Sequence, residues 1–165
     1  MLPGIVCFQN WLIDSMGFKQ RLRDGYEYQR AVAHDLLDLG WTVRLPPLQV
    51  RPTFADRADY SDDGDIWVQR PGSDAWEAVE VKSRNLDFTG VGDYPYDEVF
   101  CESVGSWSRR GGPAGLYLST STETGKRIVL DVTEDTIFQT LRRGHSSYKA
   151  ASLDHWVDWE EWAAG

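Results

Sequence analysis

The chain has 165 residues, of which 41% are hydrophobic and 26% charged, so it suits one folded domain and not a disordered chain. No run approaches the roughly 20 apolar residues that a membrane span requires, which argues against a membrane partner. The two cysteines, Cys7 and Cys101, form no CxxC pair, so neither a disulfide framework nor a zinc site is predicted. A reducing, cytoplasmic setting is the simplest interpretation.

The formal net charge of −9 argues against a surface that is positively charged throughout and could bind a phosphate backbone at any point. The charge is uneven, however: residues 101–150 contain 7 Lys and Arg against 5 Asp and Glu, a local balance of +2. Contacts with phosphate are therefore predicted in that region. Bound divalent cations would also cancel carboxylate charge locally.

The predicted elements alternate between helices and strands. The first half is predicted to contain a helical segment at 5–24 broken near Gly17, a helix from Asp24 or Gly25 to Gly40, and strands at Trp41–Leu45, Asp65–Gln69 and Ala75–Ser83. The second half is predicted to contain a loop at 84–98, a helix at 99–110, a hairpin of Gly115–Thr120 with Arg127–Val132, a helix at Thr133–Arg143, and a packing stripe of tryptophans in the tail. This order predicts an α/β domain around a mixed β-sheet flanked by helices.

Three residues are the strongest candidates for chemistry: Asp65, and Glu80 with Lys82 on one predicted strand. Side chains two apart on a strand share a face, and a hairpin turning at 71–74 would bring Asp65 near them. Carboxylate oxygens bind Mg²⁺, which activates water and offsets phosphate charge. A neighbouring lysine stabilises developing charge or orients the attacking water. The backbone carbonyl of Val81 is a further candidate metal ligand.

A family resemblance joins these segments. GDIWV (Gly64–Val68) and EAVEVKSR (Glu77–Arg84), preceded by GYEYQRAVAHDLLDLGWTV (Gly25–Val43), resemble the PD-(D/E)XK nuclease superfamily over roughly residues 25–132. The resemblance implies a restriction-endonuclease-like core within a single domain spanning residues 1–165. It implies Asp65 and Glu80 as metal ligands, Lys82 as the catalytic lysine, and Glu27 as an accessory ligand or orienter. The implied cofactor is Mg²⁺, for which Mn²⁺ would substitute.

Some assignments within this set have competitors. Asp62 and Asp63 compete with Asp65 as the acidic ligand, and Asp65 is favoured because it directly precedes the apolar strand. Glu27 has the alternative role of a helix N-terminal acid that interacts with the helix dipole. The candidate substrate contacts follow the motif or lie in nearby polar loops, and they are Ser83, Arg84, Tyr96, Arg109 and Arg110.

These features predict a Mg²⁺-dependent nuclease that hydrolyses DNA phosphodiester bonds, in the phage or mobile-element DNA processing of a bacterial host. Single-stranded, duplex and branched DNA, endonuclease and exonuclease action, and RNA as a substrate all remain open alternatives. A homodimer is expected if both strands of a duplex are cut. The alternative function is a non-catalytic nuclease-fold module that binds protein or nucleic acid.

Overall fold

The computed structural model describes residues 5–48 and 65–165, so the competing acids Asp62 and Asp63 lie outside the described residues. The helices are α1 (Ile5–Asp38), α2 (Val104–Arg110) and α3 (Trp159–Ala164), with short 3-10 turns at Val91–Asp93 and Leu153–His155. The strands are β1 (Thr42–Arg44), β2 (Ile66–Gln69), β3 (Glu77–Arg84), β4 (Glu98–Ser103), β5 (Leu116–Ser121), β6 (Arg127–Asp131), β7 (Phe138–Arg143), β8 (Ser146–Ser152) and β9 (Val157–Asp158). None of the described helices is long and apolar enough to cross a membrane.

Helix α1 is continuous from Ile5 to Asp38. The predicted break near Gly17 and the predicted new start at Asp24 or Gly25 are therefore wrong. A glycine inside a helix costs only about 1 kcal/mol relative to alanine. Ending the helix and starting another would require a second, unfavourable nucleation step, so the continuous helix is preferred.

The end of α1 was predicted correctly. Gly40 adopts a left-handed conformation with φ of 82°. Its amide donates to the carbonyl of Leu37 at 2.9 Å, and the amide of Trp41 donates to the carbonyl of Leu36 at 3.0 Å. This pair of hydrogen bonds is the Schellman motif that satisfies the last helical carbonyls. Trp41 and Leu36 belong to the same buried cluster, which fixes the direction in which the chain enters β1.

The main sheet has six strands in the order β1-β2-β3-β5-β6-β9. β3 and β5 run parallel, and all the other neighbouring pairs are antiparallel, so the predicted mixed sheet is confirmed. The predicted strands at Trp41–Leu45 and Asp65–Gln69 contain β1 and β2, and the predicted strand at Ala75–Ser83 contains β3 except for its last residue, Arg84. The predicted hairpin corresponds to β5 and β6.

A second, three-stranded antiparallel sheet in the order β4-β8-β7 takes up parts of two predicted helices. Residues 99–103 of the predicted helix at 99–110 form most of β4, and only Val104–Arg110 is helical, capped by the Ser103 hydroxyl. The predicted helix at Thr133–Arg143 is wrong, because Phe138–Arg143 forms β7 and pairs along its length with β8. In both segments, pairing with a distant strand outweighs local helix propensity.

The main sheet is buried on both faces. Helix α1 covers one face, where Val32 and Leu36 pack against Val79 and Val81 of β3. The second sheet covers the other face, where Ala78 of β3 lies in a separate buried cluster with residues of β4 and β8. Even-numbered residues of β3 therefore face the second sheet, and this face carries the charged pair predicted from the sequence.

Candidate active site

Glu80 and Lys82 lie side by side on β3, on the face that meets the second sheet. The Lys82 Nζ atom lies 2.6 Å from Glu80 Oε2. The Glu80 side chain is only 7% exposed, whereas that of Lys82 is 32% exposed and reaches toward solvent. The predicted shared face of these two side chains is confirmed.

Asp65, the residue immediately before β2, lies beside this pair. The β2–β3 register ends with Ile66 opposite Val79, so Asp65 lies beside the next step of β3. Its Oδ2 atom accepts a 2.7 Å hydrogen bond from the Val81 amide and lies 3.6 Å from Lys82 Nζ. The Asp65 carboxylate thus takes the place of a strand carbonyl as the hydrogen-bond acceptor for the Val81 amide. The structure brings Asp65, Glu80 and Lys82 together.

Gln29 of α1 is a member of this site that the sequence analysis missed. Its side-chain amide donates to Asp65 Oδ1 at 2.8 Å. The signal was available, because Gln29 shares a helical face with the buried residues Val32, Ala33 and Leu36 at steps of three, four and seven. A polar residue on an otherwise buried stripe indicates a specific contact across the interface.

Glu27 does not enter the cluster in this structure. Its side chain is 66% exposed, and both carboxylate oxygens lie 3.2 Å from the Arg30 guanidinium. Two residues along a helix correspond to a rotation of about 200°. Glu27 therefore points away from the stripe that carries Gln29, and Gln29 occupies the position beside Asp65 that the resemblance implied for Glu27.

Arg110, predicted as a substrate contact, is instead bound within the protein. Its side chain is 8% exposed, and one guanidinium nitrogen lies 3.1 Å from Glu80 Oε1. A second nitrogen pairs with Glu102 of β4. The Tyr117 hydroxyl also donates to Glu102 and accepts from the Ala114 amide at 2.9 Å. Both oxygens of Glu80 are thus held by cations, Lys82 on one side and Arg110 on the other.

Burial and charge act in opposite directions on this network. Burial lowers the pKa of Lys82, but the nearby Asp65 and Glu80 carboxylates outweigh it and raise the pKa, so the side chain is an ammonium. Burial lowers the pKa of Arg110 as well, but Glu102 and other neighbours outweigh burial and raise the pKa. Burial raises the pKa of Glu102, although its hydrogen bond from Tyr117 and the charge of Arg110 oppose the change. The cations of the site therefore stay charged.

The remaining predicted contacts lie in three different environments. Ser83 is exposed and, as an odd-numbered residue of β3, faces away from Lys82. Arg84 shares the Lys82 face, and its guanidinium donates to the carbonyl of Phe100. Tyr96 is 56% exposed in the loop before β4. Arg109 is exposed and donates to the Ser106 hydroxyl at 3.2 Å. Only Arg84 and Tyr96 line one common cleft.

The donors at the site suit a hard cation. The Asp65 and Glu80 carboxylates supply oxygen ligands, and the Val81 carbonyl lies on the same strand edge as the Val81 amide that contacts Asp65. Within residues 5–48 and 65–165, no group of three or more His, Cys, Asp and Glu side chains could hold a metal ion. Two carboxylates nevertheless fit Mg²⁺, which typically keeps several waters and takes one or two carboxylates together with substrate phosphate oxygens.

Comparison with known proteins adds no assignment. No family model, no curated protein and no solved structure matches this chain.

Proposed function

We propose that this protein is a metal-dependent nuclease that hydrolyses DNA phosphodiester bonds, with Asp65, Glu80 and Lys82 as its active site. The observation that carries the proposal is the position of the Lys82 ammonium, 2.6 Å from one carboxylate and 3.6 Å from another. The proposal includes a restriction-endonuclease-like core of the PD-(D/E)XK type. It is supported by the order of α1, β2 and β3, because α1 supplies Gln29, the residue before β2 is Asp65, and β3 supplies Glu80 and Lys82.

A purely structural role explains this cluster poorly. Burying two carboxylates costs several kcal/mol per ion before pairing repays it. Apolar residues of similar volume usually stabilise such a position equally well or better. Asp65 and Glu80 are each less than a tenth exposed, and Lys82 reaches from them to the surface. Such an arrangement is costly for folding alone, but it suits a site that meets a charged ligand at its rim.

Each side chain has a role in the proposed reaction. Asp65 and Glu80 would hold Mg²⁺, together with the Val81 carbonyl. Bound Mg²⁺ supplies a water of lowered pKa and offsets negative charge on the phosphate. Lys82 donates hydrogen bonds to a phosphate oxygen and stabilises the charge that develops there. Gln29 is a positioning residue, because its amide holds the Asp65 oxygen that Val81 and Lys82 do not contact.

Arg110 is a second positioning residue in this proposal. It holds Glu80 Oε1 from the side opposite Lys82, and Glu102 with Tyr117 holds Arg110. A carboxylate fixed in this way presents a defined direction to a metal ion, as outer-sphere partners do in other metal sites.

A second candidate function, a non-catalytic module that binds protein or nucleic acid, is favoured by one observation. Both oxygens of Glu80 are already paired with cations, so this carboxylate is satisfied without a ligand. This candidate predicts that metal leaves the protein unchanged. The nuclease proposal predicts instead that Mg²⁺ raises the melting temperature by linkage and that Asp65→Asn abolishes the rise.

The decisive experiment measures cleavage. Purified protein is incubated with Mg²⁺ or Mn²⁺ and with circular single-stranded DNA, plasmid, linear duplex, a four-way junction or RNA. Lys82→Ala is expected to lower the rate by about 10²- to 10³-fold. The matched control is Lys126→Ala, because Lys126 forms an exposed pair with Glu160. Circular dichroism verifies that both variants are folded.

Two results would decide between the candidates. Metal-dependent cutting that EDTA and Lys82→Ala remove, but Lys126→Ala retains, supports the nuclease. Absence of cutting on all five substrates, together with an unchanged melting temperature in Mg²⁺, rejects it and favours the binding module.

A further inference from the structure

A cleft of about 640 Å³ opens beyond Lys82 on the same face of the sheet. Its walls come from the end of β3, from β4 and β7, and from the loop before β4, and include Arg84, Phe100, Arg143 and Tyr96. A volume of this size suits one small ligand of mixed polarity and not a double helix. The cleft is thus large enough for a single nucleotide unit.

Two arginines in the cleft have no carboxylate partner among the described residues. Among the described residues, neither Arg84 nor Arg143 forms a salt bridge, and the Arg84 Nε atom is buried without a hydrogen-bond partner. The Arg143 guanidinium lies 5.9 Å from the centre of the Phe100 ring. Burial and the nearby Arg143 lower the pKa of Arg84, although Tyr94 opposes this. An anion between the two guanidinium groups would relieve their repulsion.

The cleft also contains aromatic and acceptor groups. Tyr96 is more than half exposed. Its ring centre lies 6.3 Å from that of the buried Tyr94, and this edge-to-face contact supports the Tyr96 ring. Asp97 and Glu98 line the cleft as well, and Glu98 accepts from the Gln139 side chain. Arginines, an exposed ring and acceptors together match a phosphate, the face of a base and the N–H donors on its edge. A simple inorganic anion would use only the arginines.

The cleft is next to the proposed catalytic lysine. Lys82 and Arg84 are two residues apart on β3 and share a face, so their Cα atoms are about 6.6 Å apart along the strand. That separation is comparable with the distance between neighbouring phosphates in an extended single strand. In a duplex, stacking holds the base away from Tyr96.

We propose that this cleft binds one unpaired nucleotide next to the phosphate that is cut, so the substrate is single-stranded DNA or an unpaired DNA end. The inference rests on the proposed nuclease function for its biological meaning. Its test does not, because binding is measured without cleavage.

The test is fluorescence anisotropy of a fluorescein-labelled oligothymidylate, with the full chain in EDTA. Tyr96→Ala is expected to weaken binding by about 5- to 150-fold, the effect of losing one stacked base. Tyr96→Phe should restore it, because the ring remains. Trp76→Ala is the matched control, because Trp76 is also exposed, at 46%, but does not line the cleft.

The arginine arm compares two neighbours on β7. Arg143→Ala should weaken binding, whereas Arg142→Ala should leave it within about twofold, because Arg142 is exposed and does not line the cleft. Loss of affinity in Tyr96→Ala and Arg143→Ala, together with weaker binding of a blunt duplex of the same length, supports the subsite. Equal affinities in all four alanine variants, or tighter binding of the duplex, overturn it.

The two proposals fail separately. If the cleavage assay shows metal-dependent cutting of duplex only, the nuclease function stands and the subsite is rejected. If oligothymidylate binds through Tyr96 and Arg143 but Lys82-dependent cutting is absent, the subsite stands and the nuclease function is rejected.

Discussion

The Arg110 guanidinium lies 3.1 Å from the Glu80 carboxylate, and both side chains are less than a tenth exposed. Arg110 stands at the end of α2, thirty residues beyond Glu80, and it also pairs with Glu102 of β4. One side chain therefore links the second sheet to the proposed metal ligand on the first. Both the stability of the protein and its proposed activity are therefore expected to depend on Arg110.

Arg110→Met is expected to destabilise the protein by about 3–5 kcal/mol, because it leaves the Glu80 and Glu102 carboxylates buried beside a neutral group. Urea unfolding followed by circular dichroism measures the change. Arg109→Met is the matched control, since Arg109 is exposed and should shift the unfolding free energy by about 0.5 kcal/mol or less. A similar loss in both variants would show that the buried pairing is not what stabilises this region.

Gln29→Ala is expected to lower the cleavage rate by about 10- to 100-fold, because Asp65 loses the partner that orients one of its oxygens. Glu27→Ala is the matched comparison on the same helix. It should leave the rate within about twofold, since Glu27 contacts only Arg30 among the described side chains. Both rates are measured with Mg²⁺ on the preferred DNA substrate. A larger loss in Glu27→Ala would restore the accessory role that the family resemblance implies for Glu27.

The strands of the main sheet were predictable because their signals are local. Residues 79–82 of β3 alternate between apolar side chains facing α1 and charged side chains facing the second sheet, and a turn at 71–74 connects β3 to β2. The shared face of Glu80 and Lys82 follows from the two-residue period of any strand. The approach of Asp65 follows from the register of a single hairpin.

The network behind Glu80 was not predictable in the same way. Glu102 reaches Arg110 and Tyr117 only because β4 folds across the main sheet, and that packing depends on pairing of β4 with β8, about fifty residues later. Local helix propensity dominated the interpretation of 99–110 and 133–143, and long-range pairing overrode it. Gln29 differs from these cases: it was missed, although the helical phase of α1 was enough to identify it.

Asp131, the last residue of β6, provides a test of charge pairing away from the candidate site. Its oxygens lie 2.6 and 2.8 Å from the Arg70 guanidinium, and Trp162 Nε1 donates to it at 3.1 Å. Burial tends to raise the pKa of Asp131, but these hydrogen bonds and the charge of Arg70 outweigh burial and lower the pKa. Asp131 therefore stabilises the folded protein most when it is ionised.

The sign of the pH effect follows from that direction. The stabilisation by Asp131 is fully present above the unfolded-state pKa of about 3.9, and it is lost as the pH falls through the lower folded-state pKa. Asp131→Asn should therefore reduce the free energy of unfolding at pH 7, by about 1 kcal/mol, and the deficit should shrink below about pH 4. Urea unfolding at several pH values between 7 and 3 measures it, with Asp154→Asn, at an exposed position, as control. A deficit that stays constant or grows on acidification would mean that the Arg70 pairing does not lower the Asp131 pKa.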